Sequence, residues 1–246
     1  MKRVDIQGVP VDAVEPSDLI SVVSKLHADG AATVAYANIH VVNRAQNDDA
    51  LMHFLRSASL VYCDGNGVRL GAQILGQTLP RRSTGADWIW DLAEAAEGTW
   101  RLYWIGGSPG VTDEAANALR AAHPKLEIES DHGFHPREGP ENDASIDRIN
   151  AFKPDVVLVG MGTPEQERWV ADRRAQIEAP VVWCTGATAD VVTNKETRGP
   201  QWLVKRWEWV YRLYQHPFRL WRRYLIGNPV FVLRMIGIRL FGIKRA

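Results

Sequence analysis

Three stretches of this 246-residue chain carry side chains suited to chemistry, and each follows a short apolar run. Asp64 comes after Leu60-Val61-Tyr62-Cys63 and opens a glycine-flanked turn, Asp64-Gly65-Asn66-Gly67. An ordinary Asp, with a pKa of about 3.9, is ionised at neutral pH and could act there as a general base. An Asp also starts turns and caps helices for purely structural reasons. Gly106-Gly107-Ser108-Pro109-Gly110 leads into a helical pattern at Val111–Leu119. Backbone N–H groups at such a helix start suit a phosphate or carboxylate, and a tight strand-to-helix turn uses the same glycines. The stretch is neither G-x-G-x-x-G nor a P-loop, which needs a Lys. The third stretch, Gly162-Thr163-Pro164-Glu165-Gln166-Glu167, places Pro164 at a helix start, with Gln166 and Glu167 in its first turn. The Gln amide has two donors and an acceptor with which to read a sugar hydroxyl or a uracil edge. A plain helix start with an acid near its positive end has the same residues.

No metal centre is expected. His132 and His135 lack a third ligand nearby and read as solvent or substrate-loop residues. Asp-x-Asp, with which many nucleotide-sugar enzymes hold a divalent ion, occurs nowhere in the chain. Any diphosphate must then be neutralised by side chains, and the carboxyl-terminal arginines are the natural source. Arg212, Arg219, Arg222 and Arg223 follow at spacings of seven, three and one, so much of the set shares a helical side. Eight aromatics interleave with them between Trp202 and Tyr224. Arginines among aromatics describe a membrane surface, a nucleic-acid surface, or an aromatic helix docked on a core with a solvated basic face.

The elements that must position these residues alternate between apolar runs and helical patterns. Strands are expected at Thr33–Ala37, Leu60–Cys63, Trp100–Ile105, Leu126–Ser130, Val156–Gly160 and Val181–Thr185. Ser17 opens a helix that Gly30 closes, and Thr84 caps Gly85–Glu97. The alternation gives an α/β fold: a Rossmann-like parallel sheet with helices on both faces, plus a basic, aromatic-rich helical appendage at the carboxyl terminus. Residues 1–195 form the expected core and 196–246 the appendage. Ligands of open α/β sheets bind beyond the carboxyl ends of the strands. Six successive strand ends here carry Gly, Asp, Asn or Gln, which reads as one assembled site.

A net charge of zero conceals a division between these parts. Residues 196–246 hold 11 Lys and Arg against two acids, a formal +9, and residues 1–195 carry the balancing −9. A strongly basic end implies an anionic partner. Cys63 and Cys184 each end an apolar run and read as buried thiols of a reducing compartment. Met1–Val9 lacks the apolar core of a signal peptide. The longest apolar run of the tail, Leu225–Leu233, stops at Arg234, well short of the roughly 20 residues that span a bilayer. Contact with a membrane is therefore expected to be peripheral.

Taken together, these pieces resemble the WecG/TagA/CpsF glycosyltransferases, in the family's order, from about Val4 to Tyr224. The matching pieces are Asn38, Asp64-Gly65-x-Gly67-Val68, Arg82-x-x-Gly85-x-Asp87, Ile105-Gly106-Gly107-x-Pro109-Gly110, Gly133-Phe134, Gly162-x-Pro164-x-Gln166-Glu167, and Gly186 with Asp190. The tail adds Arg198-Gly199-Pro200-x-Trp202, Glu208-Trp209-x-Tyr211-Arg212-Leu213, Pro217-x-Arg219 and Arg222-Arg223-Tyr224. The resemblance implies an inverting, metal-independent hexosyltransferase with no cofactor. It implies a UDP-sugar donor and a polyprenyl-diphosphate-linked acceptor, at the cytoplasmic face of an anionic membrane and without nucleic acid. It implies catalysis by Asp64, with Asn38, Arg82 and Gln166 in the substrate site, Gly106, Gly107, Gly133, Phe134, Gly162 and Glu167 beside them, and Arg212, Arg219 and Arg222 closing over it. The donor is UDP-N-acetylmannosamine, its uronic acid or another UDP-hexose, and a homo-oligomer is left open. The chain departs from the family at Tyr36, where Thr is usual; the bulkier phenol bears on sugar or acceptor identity rather than on the chemistry. Two other classes remain, each with a gap. A Rossmann-like oxidoreductase lacks its G-x-G-x-x-G, and a nucleic-acid-binding protein leaves the strand-end motifs unused.

Overall fold

A computed structural model describes residues 1–133, 138–193, 210–211, 213–215 and 217–242. Eight strands form one sheet: β1 (Arg3–Ile6), β2 (Val9–Asp12), β3 (Ala32–Ala37), β4 (Leu60–Cys63), β5 (Arg101–Gly106), β6 (Glu127–Asp131), β7 (Val156–Gly160) and β8 (Val181–Cys184). Their order is β1-β2-β4-β3-β8-β7-β5-β6, with every pairing parallel except β1 with β2. The six strands expected from sequence form within a residue or two of their expected bounds. The β1–β2 hairpin was not anticipated. Its turn residues, Gln7 and Gly8, both have positive φ, 57° and 87°, as a two-residue hairpin connection requires. Gln is an uncommon residue there, so the usual Asn-Gly signal was missing. Val4, Ile6, Val9 and Val11 alternate inward and are fully buried. Asp12 fixes the hairpin to the rest of the sheet. Its buried carboxylate accepts from Arg3 Nε at 2.7 Å and from the Val61 amide at 2.9 Å.

Side-chain alternation along the strands divides the core in two. One face carries α1 (Leu19–Asp29), α5 (Gly85–Ala96), α6 (Val111–Ala122) and α9 (Thr188–Val192), packed on Val34, Tyr62, Trp104, Leu158 and Trp183. The other carries α2 (Ile39–Ala45), α3 (Asp49–Ser57), α4 (Asn66–Ile74), α7 (Pro140–Phe152) and α8 (Glu165–Arg173), packed on Ala35, Val61, Ile105, Val157 and Val182. Helices on both faces of a mostly parallel sheet bury the inner strands β4, β5, β7 and β8 almost completely, which is why they read as continuous apolar runs, while the edge strands β1 and β6 alternate buried with exposed residues.

The tail joins the second face. α10 (Pro217–Trp221) continues through a wider turn, Arg222–Ile226, into α11 (Gly227–Phe241). Phe231 and Met235 of α11 are fully buried and belong to the same cluster as α2 and α4. The Phe231 ring lies so close to α4 that a β-carbon at Gly71 would fall 2.7 Å from Cζ. Gln7 Nε2 donates to the Phe231 carbonyl oxygen at 3.3 Å, joining the hairpin to the helix. Residues 194–209, where the expected boundary between core and appendage falls, lie outside the described residues.

The apolar run that stopped at Arg234 in the sequence does not stop in the structure. Arg222–Phe241 is one 20-residue helical stretch with an 18-residue window of mean hydropathy 1.4, long and apolar enough to cross a membrane by length and composition. The expectation that no segment reaches that length is thus corrected, because a helix carries Arg234 and Arg239 on its flanks without breaking. Residues 231, 235 and 238 face the core, while Leu233, Ile236 and Leu240 are exposed on the other side.

Truncating Phe231 to Ala should lower the unfolding free energy by about 3–5 kcal/mol, the range for a fully buried aromatic, as measured by urea denaturation. A loss below ~1 kcal/mol would mean that the helix contributes little to the core.

Candidate active site

The carboxyl ends of β4, β3 and β8 lie side by side, and a cavity of about 430 Å³ opens over them. Asn38 starts α2 and has both ends of its amide engaged. Its Oδ1 accepts from the Val41 amide at 3.0 Å, capping the helix, and its Nδ2 donates to Asp64 Oδ2 at 3.1 Å. The cap fixes the amide orientation, and the amide then holds the carboxylate. Asp64 itself does not cap the next helix; Gly65, at φ 151°, occupies that position and makes no side-chain cap. The Asp64 amide donates to the Ala37 carbonyl at 2.9 Å, so β3 and β4 present Asn38 and Asp64 together. Ser83 N donates to the Cys63 carbonyl at 2.9 Å and brings Arg82 to the same cavity. Thr84 begins α5 without capping it; its hydroxyl donates to Asp87 Oδ2 at 2.6 Å instead.

The tail forms the opposite wall, with Arg223, Tyr224, Asn228 and Val232 lining the cavity. His40 lines it from α2. Burial, followed by the Arg223 and Arg44 guanidinium groups, pushes its pKa down to about 4, so the ring is neutral at pH 7. Tyr62 lies at the floor, its hydroxyl accepting from Trp88 Nε1 at 3.1 Å. Burial and the nearby Asp64 charge raise the Tyr62 phenol far above its ordinary value, leaving it protonated.

Gln166 and Glu167 lie behind the wall rather than on it, each almost wholly buried. Gln166 Oε1 accepts from the Gly186 amide at 2.9 Å, while its Nε2 donates to Glu167 Oε1 at 2.7 Å and the Tyr36 hydroxyl at 3.3 Å. Thr163 adds its hydroxyl to Glu167 Oε1 at 2.9 Å. The network thus positions Tyr36 and Gly186, both of which line the cavity. Burial raises the Glu167 pKa above its ordinary value, and its Oε2 has no hydrogen-bond partner among the described residues.

Of the residues singled out in the sequence, the structure brings Asn38, Asp64 and Arg82 into one cavity. Arg222 lines a neighbouring cavity. Gly106, Gly107, Gly133 and Gly162 line neither. Their loops instead pack backbone against backbone. A β-carbon at Gly106 would lie 2.4 Å from the Gly160 carbonyl oxygen, and one at Gly133 2.8 Å from Gly106 Cα. The Gly107 amide donates to Gly160 O, and the Gly133 amide to Gly107 O. Phe134, His135 and Arg212 lie outside the described residues, as does the side chain of Arg219. Sequence reasoning missed Tyr62, Thr84 and Asn228 as cavity residues, while Thr188 falls in the strand-end stretch Gly186–Asp190 that the sequence pointed to. Tyr62 could have been found, since it directly precedes the strand-end Cys63 and Asp64. Asn228 could not, because only the docking of α11 brings it there.

Glu167 gives a pH test. Its folded pKa lies above the unfolded value of about 4.3, so its contribution to stability is complete below that pH and is lost as pH rises through the folded pKa. Glu167→Gln removes the ionisation. The variant's stability relative to the native protein should therefore increase between pH 4.5 and pH 8 in urea titrations. Parallel pH profiles would show that Glu167 titrates normally.

The chain matches the model of the "Glycosyl transferase WecG/TagA/CpsF family" over residues 4–245. Two proteins of Staphylococcus aureus, from strains MW2 and NCTC 8325 / PS 47, are both named N-acetylglucosaminyldiphosphoundecaprenol N-acetyl-beta-D-mannosaminyltransferase. Each is 27% identical to this chain over 238 residues, covering 95% of this chain and 92% of the relative. The family match spans nearly the whole chain, core and tail together: the chain belongs to the WecG/TagA/CpsF family and is a glycosyltransferase.

Proposed function

We propose that this glycosyltransferase moves a hexose-type sugar from a UDP-sugar onto a polyprenyl-diphosphate-linked saccharide in cell-surface polysaccharide synthesis, inverting the anomeric centre without a metal. The observation that carries this reading is the Asp64 carboxylate, held by Asn38 in a cavity that Arg82 and Arg223 also line. The names of the Staphylococcus relatives favour N-acetylmannosamine over its uronic acid or another hexose as the sugar, and a diphosphoundecaprenol as the acceptor's lipid.

In this mechanism the acceptor hydroxyl gives its proton to Asp64 as its oxygen attacks the anomeric carbon. The bond from that carbon to the UDP oxygen breaks on the opposite face, and negative charge grows on the departing diphosphate. Guanidinium groups stabilise that charge with paired hydrogen bonds, for which Arg is better shaped than Lys. Arg82 and Arg223 line the described cavity, and the resemblance assigns Arg212, Arg219 and Arg222 to this role.

Residues 196–246 then act as an appendage that completes the site and holds the enzyme on the cytoplasmic face of an anionic membrane. Support comes from the exposed apolar side of α11, where Leu233, Leu240 and Phe241 are each about two-thirds or more exposed, at 67%, 68% and 74%. Arg234 and Arg239 are exposed on the same helix. Apolar side chains at headgroup depth with flanking cations give reversible surface binding, about 1 kcal/mol for each engaged cation.

Asp64→Asn should cut turnover by roughly 10²–10⁴, what a general base contributes, with donor affinity little changed and with transfer surviving excess EDTA. Near-native turnover in the Asn variant would remove Asp64 from the mechanism, and activity restored only by Mg²⁺ or Mn²⁺ would remove the metal-independent step. A Leu233→Ser, Leu240→Ser double variant should lose sedimentation with anionic liposomes while keeping transfer to a soluble acceptor analogue. Unchanged liposome binding would rule out this face of α11 as the membrane contact.

A further inference from the structure

A second cavity, of about 760 Å³, lies beside the first between α2, α3, α8 and the tail. Its wall carries four guanidinium groups, from Arg44, Arg168, Arg222 and Arg223, against the carboxylates of Asp48 and Asp49. Asp48 is already engaged: it caps α3 through the Leu51 amide at 3.0 Å and pairs with Arg168 at 2.8 Å. Arg222 and Arg223 stand over the rings of Trp221 and Tyr224, at 5.2 and 5.5 Å, and Arg44 is exposed on α2. The cavity therefore carries an excess of positive charge. Its walls are held together, since Asn43 Nδ2 donates to the Gly227 carbonyl at 2.8 Å and so ties α2 to the start of α11. His40 and Arg223 line both cavities, so an anion in the second lies next to the Asp64 site. Leu225 and Ile226, between the lining residues Arg223 and Gly227 in the chain, are exposed apolar residues.

We infer that this second cavity is a diphosphate subsite, with Arg44, Arg222 and Arg223 as its ligands and Arg168 held in place by Asp48. Several guanidinium groups converging from two sides match a group with two linked phosphates, which accepts paired N–H donors from more than one Arg. Two sources supply that chemistry under the function proposed above, on which the identity of the ligand rests: the donor nucleotide and the lipid-linked acceptor. The exposed Leu225 and Ile226, flanked in the chain by lining residues, suit a diphosphate that carries an apolar chain.

Arg44 lies outside the Asp64 cavity, so its substitution reads out the second cavity alone. The test is calorimetric binding of UDP and, separately, of farnesyl diphosphate to the full chain, native and with Arg44→Ala or Arg44→Lys. One charge-assisted contact is lost in Arg44→Ala, which should weaken one of the two ligands by about tenfold or more; Arg44→Lys should recover part of it. Which ligand weakens identifies the source. Unchanged affinity for both in Arg44→Ala and in the charge-reversed Arg44→Glu, with thermal unfolding intact, overturns the subsite. Binding is read without transfer. A protein that binds through Arg44 but glycosylates no lipid acceptor would keep this subsite and lose the proposed function.

Discussion

The burial of Phe231 and Met235 decides where the tail stands. Both side chains sit at zero exposure in the cluster shared with α2 and α4, and Gly71 lets the Phe231 ring reach the α4 backbone. Burying two such residues contributes roughly 3–6 kcal/mol of apolar transfer free energy, enough to fix a helix that has few polar ties to the core. With α11 fixed, Arg223, Tyr224 and Asn228 must lie over the ends of β3 and β4, and Arg222 beside α2. Both cavities are thus consequences of one hydrophobic contact. The surface charge of the tail would not by itself select this geometry, because exposed ion pairs contribute little and are screened by salt.

Within the first cavity, charge is assigned by burial and hydrogen bonding together. Asn38 supports the Asp64 carboxylate from one side, and Tyr62, held protonated beneath it, adds no second negative charge. His40 is kept neutral by burial and by two arginines. Among the described residues the cationic field of the cavity therefore comes from the guanidinium groups of Arg82 and Arg223, which retain their charge across the physiological range. Behind the wall, Gln166 uses its whole amide to join Tyr36, Gly186 and Glu167. These bonds hold Tyr36 and Gly186 at the cavity surface, and Gln166 itself lies behind the cavity wall rather than on it.

The glycine loops after β5, β6 and β7 have a similar explanation. Their sequence suggested backbone donors left open for a phosphate. In the structure the Gly107 and Gly133 amides donate to neighbouring loops, and Gly106 touches Gly160 across the sheet edge. Close approach of backbones, which any β-carbon would prevent, is sufficient reason for glycine at these positions.

Arg82 was legible only through the resemblance to the family; the sequence by itself determined the six parallel strands, the helices on both faces and the strand-end pair Asn38 and Asp64. Each of these follows from short-range pattern: apolar runs of strand length, helix starts and stops, and the rule that polar residues after parallel strands face the ligand edge. It missed the hairpin because Gln7-Gly8 is a weak turn signal, although its positive φ values are ordinary for that turn. It ended the tail's apolar run at Arg234 because composition cannot show that a helix carries a cation on its flank. Only the tertiary structure decided which tail residues reach the site. That outcome depends on two buried side chains meeting a surface more than 150 residues earlier in the chain, and no local pattern encodes a contact of such sequence separation.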